Sequence, residues 1–155
     1  MSRIAFCLSL FVIITLFSVQ RGYAQQQRFE TLSDLVVKDT KSGLMWVRNA
    51  NISGKAATKE GADRLLKDLN DNKYGGYADW RLPNIYDFIT LIDYSKYRPA
   101  LPKDQTFFNL QYVYITSTPC VHRQGHYWTV NIQHGDIRMF EEGTSLYVWP
   151  VRNAN

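Results

Sequence analysis

The sequence predicts an α+β fold in which a β-hairpin and two helices are followed by a run of antiparallel strands. Apolar residues recur at helical spacing in two stretches that lie together in the middle of the chain. Strand-like runs precede and follow these stretches instead of alternating with them, which is typical of α+β proteins. The composition, with 45% hydrophobic and 21% charged residues, is that of an ordinary globular domain.

The first 24 residues have the pattern of a signal peptide. Arg3 precedes an uncharged run over 4–19, and the small residues Gly22 and Ala24 stand before a plausible cleavage point. The run is shorter than the roughly 20 residues that a membrane-spanning helix needs. The sequence therefore predicts cleavage after Ala24, one domain over 25–155, and a secreted or periplasmic protein. An uncleaved segment is the alternative, and it is the one route by which we expect contact with a membrane.

Removal of the signal peptide changes the charge and the cysteine content. The formal net charge of +4 includes Arg3 and Arg21, so the remaining domain carries +2. Such a small charge gives no reason to expect nucleic-acid binding, which requires clustered basic residues. Cys7 also leaves, and Cys120 is then the single cysteine, so no internal disulfide can form. In an oxidising compartment a lone cysteine is buried, paired with another chain, or reactive.

Local patterns predict the elements of the first half. Residues 29–38 favour a first strand, and 44–47 favour its hairpin partner across the polar turn 39–43. Residues 58–69 predict a helix with one apolar face. That face is formed by Ala62, Leu65, Leu66 and Leu69. Asn84 is a natural N-cap for a second helix. Its predicted buried stripe is Ile85, Phe88, Ile89 and Ile92.

The second half predicts an irregular loop followed by strands. Residues 94–109 contain several aromatic residues, Pro99 and Pro102 but no clean period. Loops of this kind on a rigid scaffold often carry binding surfaces. The remaining strands are predicted over 112–117, 127–132, 137–140 and 146–151, with a turn at 133–136.

Three segments resemble the C-terminal domain family of Legionella collagen-like protein. They are 39–46, with Gly-Leu-Met-Trp after an Asp-containing turn, 76–83, which ends in Asp-Trp-Arg-Leu-Pro, and the pair 127–130 and 148–152. The similarity covers nearly all of residues 35–152. It implies a C-type-lectin-like fold, similar to that of the formylglycine-generating enzymes, with a small antiparallel sheet, two flanking helices and a loop-rich face. It also implies export and, from the named member, adhesion through sulfated polysaccharides.

The chain departs from the family in two respects. It lacks a cysteine that members often carry in the first helix, and it lacks the collagen-like repeats of the named protein. A paired-cysteine arrangement and trimerisation are therefore not implied for this chain.

The residues that carry the resemblance suit structural roles. Arg81 can form a bidentate contact with a carboxylate such as Asp79 or Asp39, and Arg152 suits a buried ion pair. Pro83 fixes the chain that enters the second helix. We favour core packing over sugar stacking for the tryptophans, because their large apolar surfaces alternate with polar neighbours. The predicted structural residues are Asp39, Gly43, Trp46, Asp79, Trp80, Arg81, Pro83, Trp128 and Arg152.

The sequence predicts no catalytic residue, cofactor or metal. It contains neither a Gly-x-Ser-x-Gly elbow nor a phosphate-binding loop. Cys120, His122 and His126 are residue types that commonly bind metals, but a zinc site needs three or four converging ligands. We therefore favour the interpretation that the histidines are solvated loop residues. A thiolate formed by Cys120 with a nearby histidine is the enzymatic alternative. The related cysteine-oxidising enzymes depend on paired cysteines, which this chain lacks.

A basic and aromatic surface is the predicted binding site. Arginine suits sulfate as it suits phosphate, so the expected ligand is a sulfated or acidic glycan. The predicted ligand-binding residues are His122, Arg123, His126, Tyr127 and Arg138; His134 belongs to the same surface and Tyr147 lies nearby. The alternative is a structural or assembly subunit that binds another cell-envelope protein through the aromatic loop 94–108.

Overall fold

The computed structural model describes residues 27–154, and the predicted signal peptide lies outside this range. Within it, one hydrophobic core is enclosed by two α-helices and two small antiparallel sheets. The α+β class is therefore confirmed, although the strands form two sheets and not the single sheet that the resemblance implies. The finer C-type-lectin-like arrangement stays a prediction.

The described residues contain seven strands and two α-helices. The strands are β1 (Phe29–Thr31), β2 (Val36–Asp39), β3 (Leu44–Val47), β4 (Val113–Pro119), β5 (His126–Asn131), β6 (Asp136–Glu141) and β7 (Val151–Asn153). The helices are α1 (Lys59–Asp71) and α2 (Ile85–Leu91), with a 3-10 turn at Tyr74–Gly76 between them. The strand orders are β1-β2-β3-β7 and β4-β5-β6, and every pair is antiparallel.

The prediction of one continuous first strand over 29–38 is wrong. The chain reverses after β1, and the Leu32 N–H donates to the Val36 carbonyl at 3.0 Å. The Ser33 hydroxyl accepts a hydrogen bond from the Leu35 N–H at 3.2 Å. Serine side chains stabilise turns in this way, so the short polar segment divides the predicted strand into β1 and β2.

The prediction of a last strand over 146–151 is also wrong. Tyr147 forms a bridge with Tyr114 of β4, whereas the chain joins β3 only from Val151 onward. Pro150 stands between these contacts and has no N–H to donate to a ladder. The segment therefore leaves the edge of one sheet and joins the edge of the other.

Helix α1 begins where the sequence predicts. The Thr58 hydroxyl accepts a hydrogen bond from the Gly61 N–H at 3.3 Å and caps the helix. The buried residues of α1 are Ala62, Leu66 and Leu69. Leu65 is half-buried and packs against the core. All four residues of the predicted apolar face therefore contact the core.

Helix α2 has the predicted cap but a different buried face. The Asn84 side chain accepts from the Asp87 N–H at 3.0 Å, and the Asp87 carboxylate accepts from the Asn84 N–H at 2.7 Å, which completes a capping box. Ile89 is 37% exposed, contrary to the predicted stripe. Phe88 and Ile92 of the predicted stripe are buried, and Leu91 lies beside them in place of Ile89.

Trp149 is the centre of an aromatic cluster that joins the two sheets. Its fully buried ring lies 5.1 Å, between centroids, from Trp46 of β3 and 5.1 Å from Tyr114 of β4. Phe107 of the loop packs edge-on at 4.9 Å, and Phe88 of α2 lies at 6.1 Å. One side chain thus contacts both sheets, a helix and the loop.

The other signature tryptophans differ in burial. Trp46 and Trp80 are buried, and the indole N–H of Trp80 donates to a backbone carbonyl at 2.9 Å. Trp128 is only half-buried on β5. Pro83 is buried, and its carbonyl accepts a hydrogen bond from a β4 N–H at 2.8 Å. The Pro83 contact connects the Asp-Trp-Arg-Leu-Pro segment to the second sheet.

The two signature arginines each bind one carboxylate. Arg152 is 6% exposed, and its Nε donates to Oδ1 of Asp79 at 2.6 Å, so it forms the ion pair that the sequence predicts. The Arg81 guanidinium donates to Oδ2 of Asp87 at 2.7 Å and not to Asp79 or Asp39. Both of those predicted partners are already bound by other arginines.

Asp39 is a fully buried carboxylate at the end of β2. It accepts hydrogen bonds from Arg28 Nε and Nη2 at 2.8 and 2.7 Å, from the Ser42 hydroxyl at 2.9 Å and from the Lys41 N–H at 3.1 Å. Its own carbonyl accepts from the N–H of Gly43, whose φ of 69° closes the turn. Burial raises the pKa of Asp39, but these hydrogen bonds and the Arg28 charge outweigh burial, so the pKa is lowered.

Replacement of Trp149 by alanine is expected to destabilise the protein by about 3–5 kcal/mol, because the cavity would lie where both sheets, α2 and the loop meet. Urea unfolding measures the difference. Tyr86→Ala is the control, since Tyr86 is an aromatic residue of α2 that is 72% exposed, and we expect it to change stability by less than about 0.5 kcal/mol. Equal losses in the two variants would contradict the central role of Trp149.

Asp39→Asn is expected to reduce the free energy of unfolding at pH 7 by about 2–3 kcal/mol, since it weakens a buried charged pair. A lowered pKa in the folded state means that the Asp39 carboxylate stabilises the fold above its unfolded value of about 3.9. This stabilisation is lost as the pH falls through the lower folded value. The gap between wild type and variant should therefore narrow toward pH 2.

Urea midpoints at pH 7 and near pH 2 test this expectation. Asp34→Asn is the matched control, because the Asp34 side chain is fully exposed. We expect its unfolding free energy to stay close to that of wild type at both pH values. A gap for Asp39→Asn that is as wide in acid as at neutral pH would contradict the assignment.

Candidate functional site

A cleft of about 300 Å³ lies where the β5–β6 turn meets the irregular loop. It is lined by Arg98, Tyr112, Asn131, Gln133 and His134, and we call it the Arg98 cleft. None of the five side chains is a carboxylate, and each can donate a hydrogen bond. The cleft therefore suits a ligand that is rich in acceptor oxygens or carries negative charge.

Backbone hydrogen bonds hold the loop against the turn. The Arg98 N–H donates to the Gln133 carbonyl at 2.7 Å, and the Ala100 N–H donates to the Ile132 carbonyl at 2.6 Å. The Ile132 N–H donates in turn to the Tyr112 carbonyl at 3.0 Å. These bonds place three lining residues by their main chain, so the cleft is built into the fold.

The turn also requires a glycine at position 135. Gly135 has a φ of 77°, a conformation that L side chains rarely adopt. A Cβ at this position would lie 3.0 Å from Ile92 Cγ2 and 3.2 Å from Tyr94 Cε1. The turn thus packs directly on the loop, and a larger residue would push the two apart.

Arg98 combines an unusual backbone with an uncommitted side chain. Its φ of 52° is rare for a residue other than glycine. Such a conformation persists where the surroundings fix it, and it is found preferentially at functional sites. Among residues 27–154, no carboxylate forms an ion pair with its guanidinium. The charge is therefore available to a ligand.

Exposed tyrosines accompany the cleft. Tyr112 lines it, Tyr97 precedes Arg98 in the chain, and Tyr94 packs against Gly135. These three tyrosines are 65–74% exposed. Each presents a flat apolar ring with a polar hydroxyl, which suits contact with the mixed surface of a sugar.

The five ligand-binding residues predicted from the sequence do not line this cleft. Tyr127 of β5 and Arg138 of β6 lie on one face of their ribbon, because the cross-strand neighbour of Arg138 is two residues from Tyr127. His126 lies on the opposite face, since successive strand residues alternate. His122 and Arg123 are exposed in the connection between β4 and β5. The structure therefore divides the predicted set among three places.

Two members of this set have partners within the protein. Arg138 Nη2 donates to Oδ2 of Asp136 at 2.9 Å. The Nδ1 of His126 lies 3.1 Å from the Gln124 carbonyl oxygen. Both contacts are exposed. They occupy one nitrogen of each side chain but leave the two side chains accessible to solvent.

No pattern in the sequence predicts the Arg98 cleft, because the cleft combines two separately predicted surfaces. Arg98 belongs to the loop that the sequence assigns to a protein partner, whereas His134 belongs to the predicted basic and aromatic surface. Their juxtaposition depends on backbone bonds between residues more than thirty positions apart. Two features of the sequence point toward this region: the turn that contains Gly135 and the aromatic, Pro-containing loop 94–109.

Cys120 is buried, in agreement with the first of the three alternatives. Its Sγ lies 3.1 Å from Met139 Sδ. Within residues 27–154, no cluster of three or more histidine, cysteine or acidic side chains is arranged to hold a metal ion. Neither helix in that range has the length and apolar character needed to cross a membrane.

Most of the described chain matches a known protein family. The family model for the Lcl C-terminal domain matches residues 35–152. The chain belongs to the Lcl C-terminal domain family. The match confirms the resemblance carried by the signature segments, and all five cleft residues lie within this Lcl C-terminal domain. A search of curated proteins gives no match to the chain.

Gly135→Ala should destabilise this Lcl C-terminal domain more than Gly125→Ala. Both positions have a positive φ, which costs a non-glycine residue about 1–2 kcal/mol. Only at Gly135 does the added Cβ also press on neighbouring side chains, and overpacking adds about 1–3 kcal/mol. Gly125 has nothing within 4 Å of its added Cβ, so it isolates the backbone effect. Equal losses in urea unfolding would show that the turn does not pack tightly on the loop.

Proposed function

We propose that this protein is an exported, non-enzymatic binding domain that recognises a polyanionic glycan, with sulfated polysaccharides as the ligand class. The observation that carries the proposal is the Arg98 cleft, where hydrogen-bond donors converge without a carboxylate. The adhesive role implied by the resemblance to Legionella collagen-like protein agrees with this chemistry.

The side chains of the cleft match a sulfate ester on a sugar. The planar Arg98 guanidinium can donate two parallel hydrogen bonds to an oxyanion. His134 and the amides of Asn131 and Gln133 add donors for the remaining sulfate oxygens and for hydroxyl groups. The ring of Tyr112 offers an apolar surface to the sugar. Because the charged groups are exposed, binding should weaken as the salt concentration rises.

The signal-peptide pattern over residues 1–24 supports export. A secreted or periplasmic location would bring the Arg98 cleft into contact with polysaccharides of the envelope or of a surface outside the cell. Export and glycan recognition are thus parts of one proposal.

An assembly subunit that binds another envelope protein is the second candidate. It is favoured by the exposed aromatic residues of the loop, among which Tyr97 is 74% exposed and Phe108 is 43% exposed. Apolar contacts of this kind differ from sulfate binding in one measurable respect, because they are not weakened by salt.

Arg98→Met is expected to weaken binding to dextran sulfate about tenfold at low salt, because a charge-assisted contact is lost while the aliphatic stem is kept. The salt dependence of binding should also become shallower. Arg123→Met is the matched control, since it removes the same charge from an exposed position outside the cleft, and we expect less than a twofold change. Biolayer interferometry with immobilised dextran sulfate and uncharged dextran measures both effects.

The outcomes of this experiment separate the hypotheses. If Arg123→Met weakened binding to dextran sulfate more than Arg98→Met did, the binding site would lie on the surface predicted from the sequence and not in the Arg98 cleft. Binding to uncharged dextran with equal strength would exclude recognition of sulfate. Absence of binding to either polymer would contradict the glycan hypothesis and favour the protein-partner candidate.

A further inference from the structure

A second cleft, of about 470 Å³, lies at the beginning of helix α1. It is formed by the loop over 53–58, by one side of α1 and by Ser145, and we call it the α1 cleft. It shares no lining residue with the Arg98 cleft. Its volume is in the range of natural ligand sites, which run from about 300 to 1,000 Å³.

The walls of the α1 cleft are held by the backbone. The Ala57 N–H donates to the Leu146 carbonyl at 2.8 Å, and the Leu146 N–H donates to the Ala57 carbonyl at 2.9 Å. This reciprocal pair brings Ser145 beside the loop. Thr58 follows at once and caps α1, so loop and helix are joined without a flexible connection. A cleft fixed in this way needs little rearrangement to accept a ligand.

Two cations, Lys55 and Arg64, line the α1 cleft without forming an ion pair within residues 27–154. Arg64 Nη2 lies 3.8 Å from the point that a Cβ of Gly61 would occupy. The guanidinium therefore folds back along α1 over a residue that has no side chain. A Cβ at position 61 would also lie 3.0 Å from Ala57 Cβ, so glycine lets the loop over 53–58 pack closely on the first turn of α1.

The remaining lining residues restrict the kind of anion. Asp68, one turn after Arg64, brings a carboxylate to the same cleft, which disfavours a multiply charged ligand and accepts hydrogen bonds from hydroxyl groups. The Ser145 hydroxyl can bond to further ligand hydroxyls. Ala56 and Leu65 provide an apolar surface. The lining is thus complementary to a molecule with one negative charge, several hydroxyl groups and an apolar face.

We propose that the α1 cleft binds a uronic acid, that is, a sugar residue bearing one carboxylate. Arg64 and Lys55 bind the carboxylate, Asp68 and Ser145 bind ring hydroxyls, and Leu65 packs against the apolar face of the ring. The proposal does not rest on sulfate recognition, because the two clefts have different residues and different chemistry.

Sodium glucuronate, glucose and acetate are the probes for this site. Glucuronate should shift the backbone amide resonances of 53–58 and of the first turns of α1 in 1H–15N spectra of the purified protein. Glucose lacks the charge and acetate lacks the ring, so each should bind at least about tenfold more weakly than glucuronate. Equal affinity for acetate would contradict recognition of a sugar, because the cleft would then bind any small carboxylate. Equal affinity for glucose would contradict a role of Arg64 and Lys55 in binding.

Arg64→Met should weaken glucuronate binding about tenfold. Lys67→Met is the matched control, because Lys67 is a cation of the same helix that lies outside the cleft and pairs with Asp71. Its effect should be less than twofold. The shifts of 53–58 report on the α1 cleft alone and binding to dextran sulfate reports on the Arg98 cleft, so failure at this site is distinguishable from failure of the sulfate proposal. Glucuronate shifts centred on the Arg98 cleft, unchanged affinity in Arg64→Met, or no shifts at all would overturn the inference.

Discussion

The position of Trp149 constrains the rest of the structure. Its buried indole N–H donates to the Val47 carbonyl at 2.8 Å, so the last segment of the chain is tied to β3. Its ring contacts Tyr114 of the other sheet and Phe107 of the loop. Because one rigid side chain meets all of these elements, the chain must cross between the sheets immediately before β7. The same packing anchors the loop that carries Arg98 in place over the β5–β6 turn.

The carboxylates of the signature segments are paired with arginines, whereas the arginines of the two clefts form no ion pair among the described residues. The carboxylates of Asp39, Asp79 and Asp87 are each bound by an arginine within the fold. An unpaired buried charge is costly, so these pairs hold the signature segments in one arrangement. Arg98 and Arg64 have no such partner among the described residues. In the function that we propose, ligand binding therefore depends on cations that form no ion pair within the described fold.

Local signals in the sequence predict the helices but not the clefts. The cap at Asn84 and the spacing of apolar residues in α1 act within a few residues, so a single sequence shows them. The strand over 29–38 was mispredicted because the apolar run at its end outweighed the turn-forming Ser33. The Arg98 cleft depends on a bond from Arg98 to Gln133, which no local pattern indicates. The sequence therefore predicts the loop and the hairpin as two separate surfaces, and only the structure brings Arg98 beside Gln133 and His134.

The two clefts differ in the ligand groups that they can accept. The five residues of the Arg98 cleft each carry a hydrogen-bond donor and include no carboxylate, so additional negative charge on the ligand is favourable there. In the α1 cleft, Asp68 opposes added charge and favours hydroxyl groups. A polysaccharide that carries both strongly acidic esters and carboxylates, and is long enough to span the clefts, would be held at two points. The second contact is then intramolecular, so the combined affinity exceeds that of either cleft alone.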